Sequence, residues 1–215
     1  MFKKRPFFIV FEGVEGCGKS FQTKKLSANL KRKGINPIVT REPGGTASAE
    51  LIRKLILKDY FNQSKKEKFD KYTDTLLYLA ARNEHILNKI KPALIQNKIV
   101  ICDIFVDSTT AYQIYGKKVN KIFIENIHKF ILDGVKPNLT FILKVSSKSS
   151  KKRLNKRKTK NRYDKFAKSF YVKAQNSFLK IAKNKRNYYV LNSSSNDTVL
   201  EKKIFTIVCR HLKIK

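Results

Sequence analysis

The sequence predicts a single α/β domain in which a central parallel sheet of five strands is flanked by helices. Three observations point there. Short apolar runs alternate with stretches of helical periodicity, the pattern of parallel strands joined by crossover helices. The first apolar run, residues 7–11, is closed by a glycine-rich loop and followed at once by a helix-forming stretch. No linker, repeat or shift of composition divides residues 1–215, so they are expected to form one domain.

The elements follow in order. Residues 7–11 are uniformly apolar, as a strand covered on both faces must be. The basic start ahead of them loosely imitates a leader peptide, but it lacks a cleavage site, and the run reads as the first strand. Beyond Lys19 the chain turns helical, with Leu26 and Leu30 on one face, and Gly34 stops it. Residues 37–40 form a second strand that runs into a turn containing Pro43, Gly44 and Gly45. Residues 47–58 read as a helix and the polar residues 62–68 as a loop. Residues 70–96 hold one or two helices, with Pro92 starting the second. The third strand, residues 99–102, ends at Asp103, and residues 107–113 read as a polar, aromatic-tipped loop beyond it. Asn120 caps a helix running to Asp133, and the break at Lys136-Pro137 leads into a fourth strand at 139–145. Residues 147–162 are strongly basic and have no apolar stripe beyond Leu154. Phe166, Phe170, Ala174 and Phe178 recur every fourth residue and mark the buried face of a helix. Residues 188–191 are the last strand, and an amphipathic helix begins near Asn196.

Lysine and arginine number 48 against 16 acidic residues, a net charge of +32. Such a field attracts polyanions. The basic residues are spread along the whole chain, however, which reads as a solvated coat that touches nucleic acid only non-specifically. No apolar run reaches the roughly 18 residues of a membrane helix, so no membrane partner is expected. Cys17, Cys102 and Cys209 are too scattered for a metal site or a redox pair and read as thiols of a reducing cytoplasm.

Gly13-Val14-Glu15-Gly16-Cys17-Gly18-Lys19-Ser20 satisfies G-x-x-x-x-G-K-[ST] in its required setting, strand before and helix after. Its glycines let backbone N–H groups face phosphate oxygens, and the helix N-terminus adds partial positive charge. Lys19 is placed to reach the terminal phosphates of ATP, and the Ser20 hydroxyl to join a Mg²⁺ shell. Asp103, at the end of an apolar strand, is the expected second acidic element at that ion. The fold is therefore expected to be of the P-loop NTPase type.

An acceptor site is expected from four further segments. Arg41 and Glu42 precede the Pro-Gly-Gly turn. Tyr78 and Arg82 lie four apart on one helix face, where a ring and a guanidinium could share a base. Residues 107–113 sit where ligands bind in open α/β sheets. Arg153, Arg157 and Arg162 lie in the basic segment, which reads either as a solvated helix or as a lid, at about 150–165, whose arginines neutralise transferring phosphate.

The ordered set GVEGCGKS, TREPGGT, LLYLAAR, CDIFVDSTTAYQ and PNLTFIL resembles the thymidylate kinase family across nearly the whole chain. The resemblance implies a homodimeric kinase that converts dTMP to dTDP with MgATP. It places Glu15 near the sugar 3′-OH, Tyr78 under the thymine and Arg82 on the base O4. Thr109 and Gln113 would face the base region, and Tyr112 would crowd the 2′ position. Phe105 would join the acceptor pocket, and Arg157 and Arg162 would match lid arginines of the bacterial type. The sequence also departs from the family. Ile104 stands where the family has an arginine that grips the acceptor phosphate, with Arg41 or a lid lysine available to compensate. Ile114 stands for a glycine, Lys173 and Gln175 for two arginines, and Lys144 for an aspartate. These departures keep open a kinase with another deoxynucleotide or deoxynucleoside acceptor, or a weakly active basic ATP- or nucleic-acid-binding relative.

Overall fold

A computed structural model describes residues 5–57, 68–156, 168–195 and 198–214. Five strands form one parallel sheet in the order β2-β3-β1-β4-β5. The strands are β1 (Phe7–Glu12), β2 (Ile38–Arg41), β3 (Ile99–Asp103), β4 (Leu139–Lys144) and β5 (Tyr188–Asn192). Helix α1 (Lys19–Arg32) follows β1, and α2 (Ala47–Leu57) follows β2. Then come α3 (Lys71–His85), a π-helical turn at Ile86–Ile90 and α4 (Lys91–Ile95). After β3 the chain runs through α5 (Val106–Thr109), a π-helical segment (Thr110–Gly116) and α6 (Lys121–Leu132). Helices α7 (Ser147–Asn155), α8 (Lys168–Ala182) and α9 (Thr198–Leu212) complete the described chain.

All six residues of β1 are buried, because both faces of the sheet are covered. Phe7, Ile9 and Phe11 enter one cluster with Leu26 and Leu30 of α1 and Ile204 and Val208 of α9. Phe8 and Val10 point the other way, into a second cluster with Ile86, Ile90 and Phe105. This alternation makes β1 the spine of the domain. Its neighbours are β3 and β4, and the strand order reverses around it. The crevice beyond the carboxyl ends of these strands is where ligands settle in such sheets.

Most expected elements are present within a residue or two of their sequence-based bounds. Asn120 accepts the Phe123 amide and caps α6, and Ala174 and Phe178 are buried on α8 as their spacing required. Phe166 lies outside the described residues, as do residues 58–67, which hold most of the loop expected at 62–68. One expectation changes. Residues 107–113 are helical, not an open loop. Glu12, distant in sequence, accepts the Phe105 and Ser108 amides at 2.8 and 3.3 Å and the Ser108 hydroxyl at 2.5 Å. These donors lie at the start of α5, so a buried carboxylate holds a helix entry that the local sequence does not announce.

Candidate active site

The loop after β1 folds back over the start of α1. Gly13, Gly16 and Gly18 all have positive φ. A Cβ on Gly13 would come within 2.6 Å of the Leu143 carbonyl, and one on Gly16 within 2.9 Å of the Ser150 carbonyl. Only glycine satisfies both the backbone and the space. Lys19 lies across the loop, its ammonium donating to the Gly13 and Val14 carbonyls at 2.7 and 3.2 Å. Burial works against its charge, but Cys17, Asp103, Glu15 and Glu12 outweigh it and hold its pKa above the usual lysine value. Cys17 is fully buried, and burial pushes its thiol up, so it acts as packing beneath the loop. Val14 is buried as well.

Two groups of α7 grip this loop. Ser150 of α7 donates to the Glu15 carbonyl at 2.8 Å. Arg153 donates to the Gly16 carbonyl at 3.1 Å and to the Ser193 and Ser194 carbonyls, each at 2.7 Å. Arg153 thus ties the phosphate loop to the segment after β5. Arg157 and Arg162 lie outside the described residues.

A cavity of about 370 Å³ opens beside the loop. Glu15, Gly16, Gly18, Lys19 and Ser20 form one wall. Arg41, Tyr78, Arg82, Thr109, Tyr112 and Gln113 form the other. Asp103 and Ile104 lie between them. The volume lies within the roughly 300–1,000 Å³ of small-molecule sites. Ser20 donates its hydroxyl to Asp103 Oδ2, while Asp103 Oδ1 is buried without a partner. An orphaned carboxylate oxygen next to a hydroxyl suits a divalent cation that takes its remaining oxygens from phosphates and water. Among the described residues no cluster of three or more metal-binding side chains competes for that ion.

The second of these walls is organised by Arg82, which is 2% exposed. Its Nε donates to Glu42 at 2.7 Å, its Nη1 to Thr109 and His128 at 2.8 Å each, and its Nη2 to the Phe105 carbonyl at 2.9 Å. The guanidinium lies over the Phe105 ring, 5.4 Å from its centre. Phe105 therefore backs Arg82 and does not itself line the cavity. Glu42 accepts from both Arg82 and His85; burial raises its pKa, but these two partners carry it below the usual carboxylate value. His128 receives an Arg82 hydrogen on Nε2, and burial with that neighbouring charge lowers its pKa to about 3. Tyr112 donates to Glu15 at 2.7 Å and stacks on Phe170, so this wall is already tied to the loop after β1.

Of Arg41 and a lid lysine, the two groups the sequence offers as compensation, Arg41 lines the cavity but is exposed and paired with Glu50 at 3.0 Å. Arg53, which sequence reasoning missed, lines the cavity and donates to the Pro43 carbonyl at 2.5 Å. Glu12, His85 and His128 were also missed. Only the placing of His85 one turn after Arg82 offered a signal.

A profile described as Thymidylate kinase matches residues 11–204. The chain belongs to the thymidylate kinase family. It is 39% identical over 191 residues to the thymidylate kinase of Sulfurihydrogenibium sp. (strain YO3AOP1), covering 89% of this chain and 90% of that one. It is 41% identical over 177 residues to that of Geobacillus sp. (strain WCH70), covering 81% and 82%. The crystal structure of thymidylate kinase from Ehrlichia chaffeensis superposes with a TM-score of 0.71 at 33% identity, over 96% of this chain and 98% of that one. The fold is thus that of the P-loop NTPases, as the loop motif implied. Ile104, just after the end of β3, lines the cavity. It is β-branched and sits at φ 76°, a conformation such residues rarely adopt.

Proposed function

We propose that this thymidylate kinase family member phosphorylates dTMP to dTDP with MgATP through the following division of labour. One observation carries the reading: a single cavity has the phosphate loop on one wall and a ring, a guanidinium and a hydroxyl on the other. The loop amides and Lys19 receive the ATP phosphates. Ser20 and Asp103 hold Mg²⁺, which neutralises charge on the phosphate oxygens when bound. Tyr78 stacks on the thymine, Arg82 donates to its O4, and Thr109 and Gln113 complete the base region. Tyr112 and Glu15, already hydrogen-bonded to each other, border the sugar. Arg53 and Arg41 face the acceptor phosphate. Positioning and charge neutralisation supply the catalysis, without a covalent intermediate.

Arg157 and Arg162, in the lid at about 150–165 of a single domain spanning 1–215, complete the neutralisation over the transferring group. Arg153 belongs to the same machinery as the tie between lid and loop, supported by its three carbonyl partners. A homodimer is supported by exposed apolar residues on three helices that pack side by side: Leu51 of α2, Leu76 of α3, and Ile122 and Phe130 of α6. The enzyme works in the cytoplasm, consistent with its free thiols. Its basic coat meets nucleic acid non-specifically. Among the described residues no helix is long and apolar enough to cross a membrane.

A coupled ATP-consumption assay with dTMP, dUMP, dGMP and thymidine tests the acceptor. Preference for dTMP is expected, and its absence would favour the changed-acceptor reading that Ile104 motivates. Arg157→Ala is expected to lower kcat more than it raises KM; wild-type kcat in that variant would remove Arg157 from the catalytic role.

A further inference from the structure

The buried groups around Arg82 do more than fill space. Arg82 has five N–H donors. Nε spends its one on Glu42, Nη1 both of its own on Thr109 and His128, and Nη2 one on Phe105. Among the described residues nothing takes the second Nη2 hydrogen, on a residue that lines the cavity. Which donor remains, and where it lies, depends on the rotation of the guanidinium plane. Glu42 sets that plane through Nε. Glu42 in turn is gripped by His85, whose Nδ1 lies 3.1 Å from Glu42 Oε1 and whose Nε2 lies 2.6 Å from Thr40 Oγ1. His85 is fully buried, and the turn after Glu42 presses on it: a Cβ on Gly45 would come within 2.6 Å of its Nε2.

We infer that His85 is a positioning residue for acceptor recognition, orienting Glu42 so that Arg82 presents one N–H to a carbonyl oxygen of the base. This rests on the proposed Arg82–base contact. A single fixed donor accepts a 4-keto pyrimidine and meets the 4-amino group of a cytosine donor to donor. The hydrogen bond from Nδ1 is the working one, since among the described residues Nε2 reaches only Thr40. An asparagine side chain places its amide nitrogen near the imidazole Nδ1, and a glutamine near Nε2. The pair His85→Asn and His85→Gln therefore separates the two bonds, with the histidine ring removed from both.

Steady-state kinetics with dTMP and dCMP, at saturating ATP, read the outcome. His85→Gln is expected to raise KM for dTMP about tenfold and to narrow the dTMP-over-dCMP ratio of kcat/KM by a similar factor, with KM for ATP unchanged. His85→Asn is expected to recover most of both. Equal KM and equal selectivity in the two variants, with Tm lowered alike, would mean that His85 only packs the turn and would overturn the inference. Arg82→Lys distinguishes the underlying reading. If its dTMP-over-dCMP ratio matches wild type, the Arg82–base contact itself is wrong. If that ratio collapses while the two His85 variants agree, only the positioning role falls.

Discussion

Replacing Ile104 with arginine should strengthen acceptor binding, and the structure sets the scale. Ile104 lines the cavity beside Arg41, Arg53 and Asp103. Its backbone is held from three sides: the Ile104 amide donates to the Phe11 carbonyl at 2.9 Å, Cys102 Sγ donates to the Ile104 carbonyl at 3.1 Å, and the next amide, of Phe105, donates to Glu12 at 2.8 Å. The main chain should therefore keep its φ of 76° when the side chain changes. A β-branched residue held there stores about 1–3 kcal/mol of strain, part of which an unbranched Cβ relieves. A new guanidinium on the acceptor phosphate adds a charged hydrogen bond worth about 1.5–3 kcal/mol. Against this, a third arginine joins Arg41 and Arg53; burial and Arg41 already lower the Arg53 pKa. A like-charge contact near water costs on the order of 1 kcal/mol. The expected result is a roughly tenfold lower KM for dTMP, with KM for ATP unchanged. Ile104→Gly is the control: it releases the strain without adding a donor and should leave KM for dTMP within about twofold. An arginine variant whose KM for dTMP equals that of the glycine variant would refute the reasoning.

Other outcomes can be checked with the same protein. Lys19→Ala should abolish transfer, because no other ammonium bridges the Gly13 and Val14 carbonyls among the described residues; residual turnover above about one thousandth would count against it. Arg153→Ala should raise KM for ATP about tenfold and lower kcat less, since it frees the phosphate loop from the segment after β5; a pure kcat loss would make Arg153 a direct phosphate ligand. Glu12 should make stability pH-dependent. Burial foremost, then Asp107, raises its pKa to about 8, so the native state keeps a proton that the unfolded chain has lost. Its contribution is full below about pH 4.5, fades as pH rises and is gone above about pH 8; denaturant midpoints of Glu12→Gln should lack this component. His128 acts at the acid end. Its pKa of about 3 means that its contribution is present above about pH 6.5 and is lost as pH falls toward 3, and His128→Asn should flatten the curve there.

Everything that follows from short-range physics could be read in the sequence. The uniformly apolar residues 7–11 read as a doubly covered strand, and the glycines after them, followed by Lys19 and Ser20, as a phosphate cradle. The spacing of Tyr78 and Arg82 put both on one helix face, and both line the cavity. What the tertiary structure alone decided are the partners brought from far along the chain. Glu12 turns residues 107–113 from loop to helix across more than ninety positions. The spacing put Arg82 beside Tyr78, but the Glu42, Thr109, His128 and Phe105 groups that close around it come from other parts of the chain. Arg41 is drawn to Glu50, and Arg53 joins it in lining the cavity, an arrangement that no local spacing announces. The physical reason is the same each time. Periodicity encodes which side chains face inward, whereas a buried charge is governed by whichever opposite charge or amide the fold delivers to it.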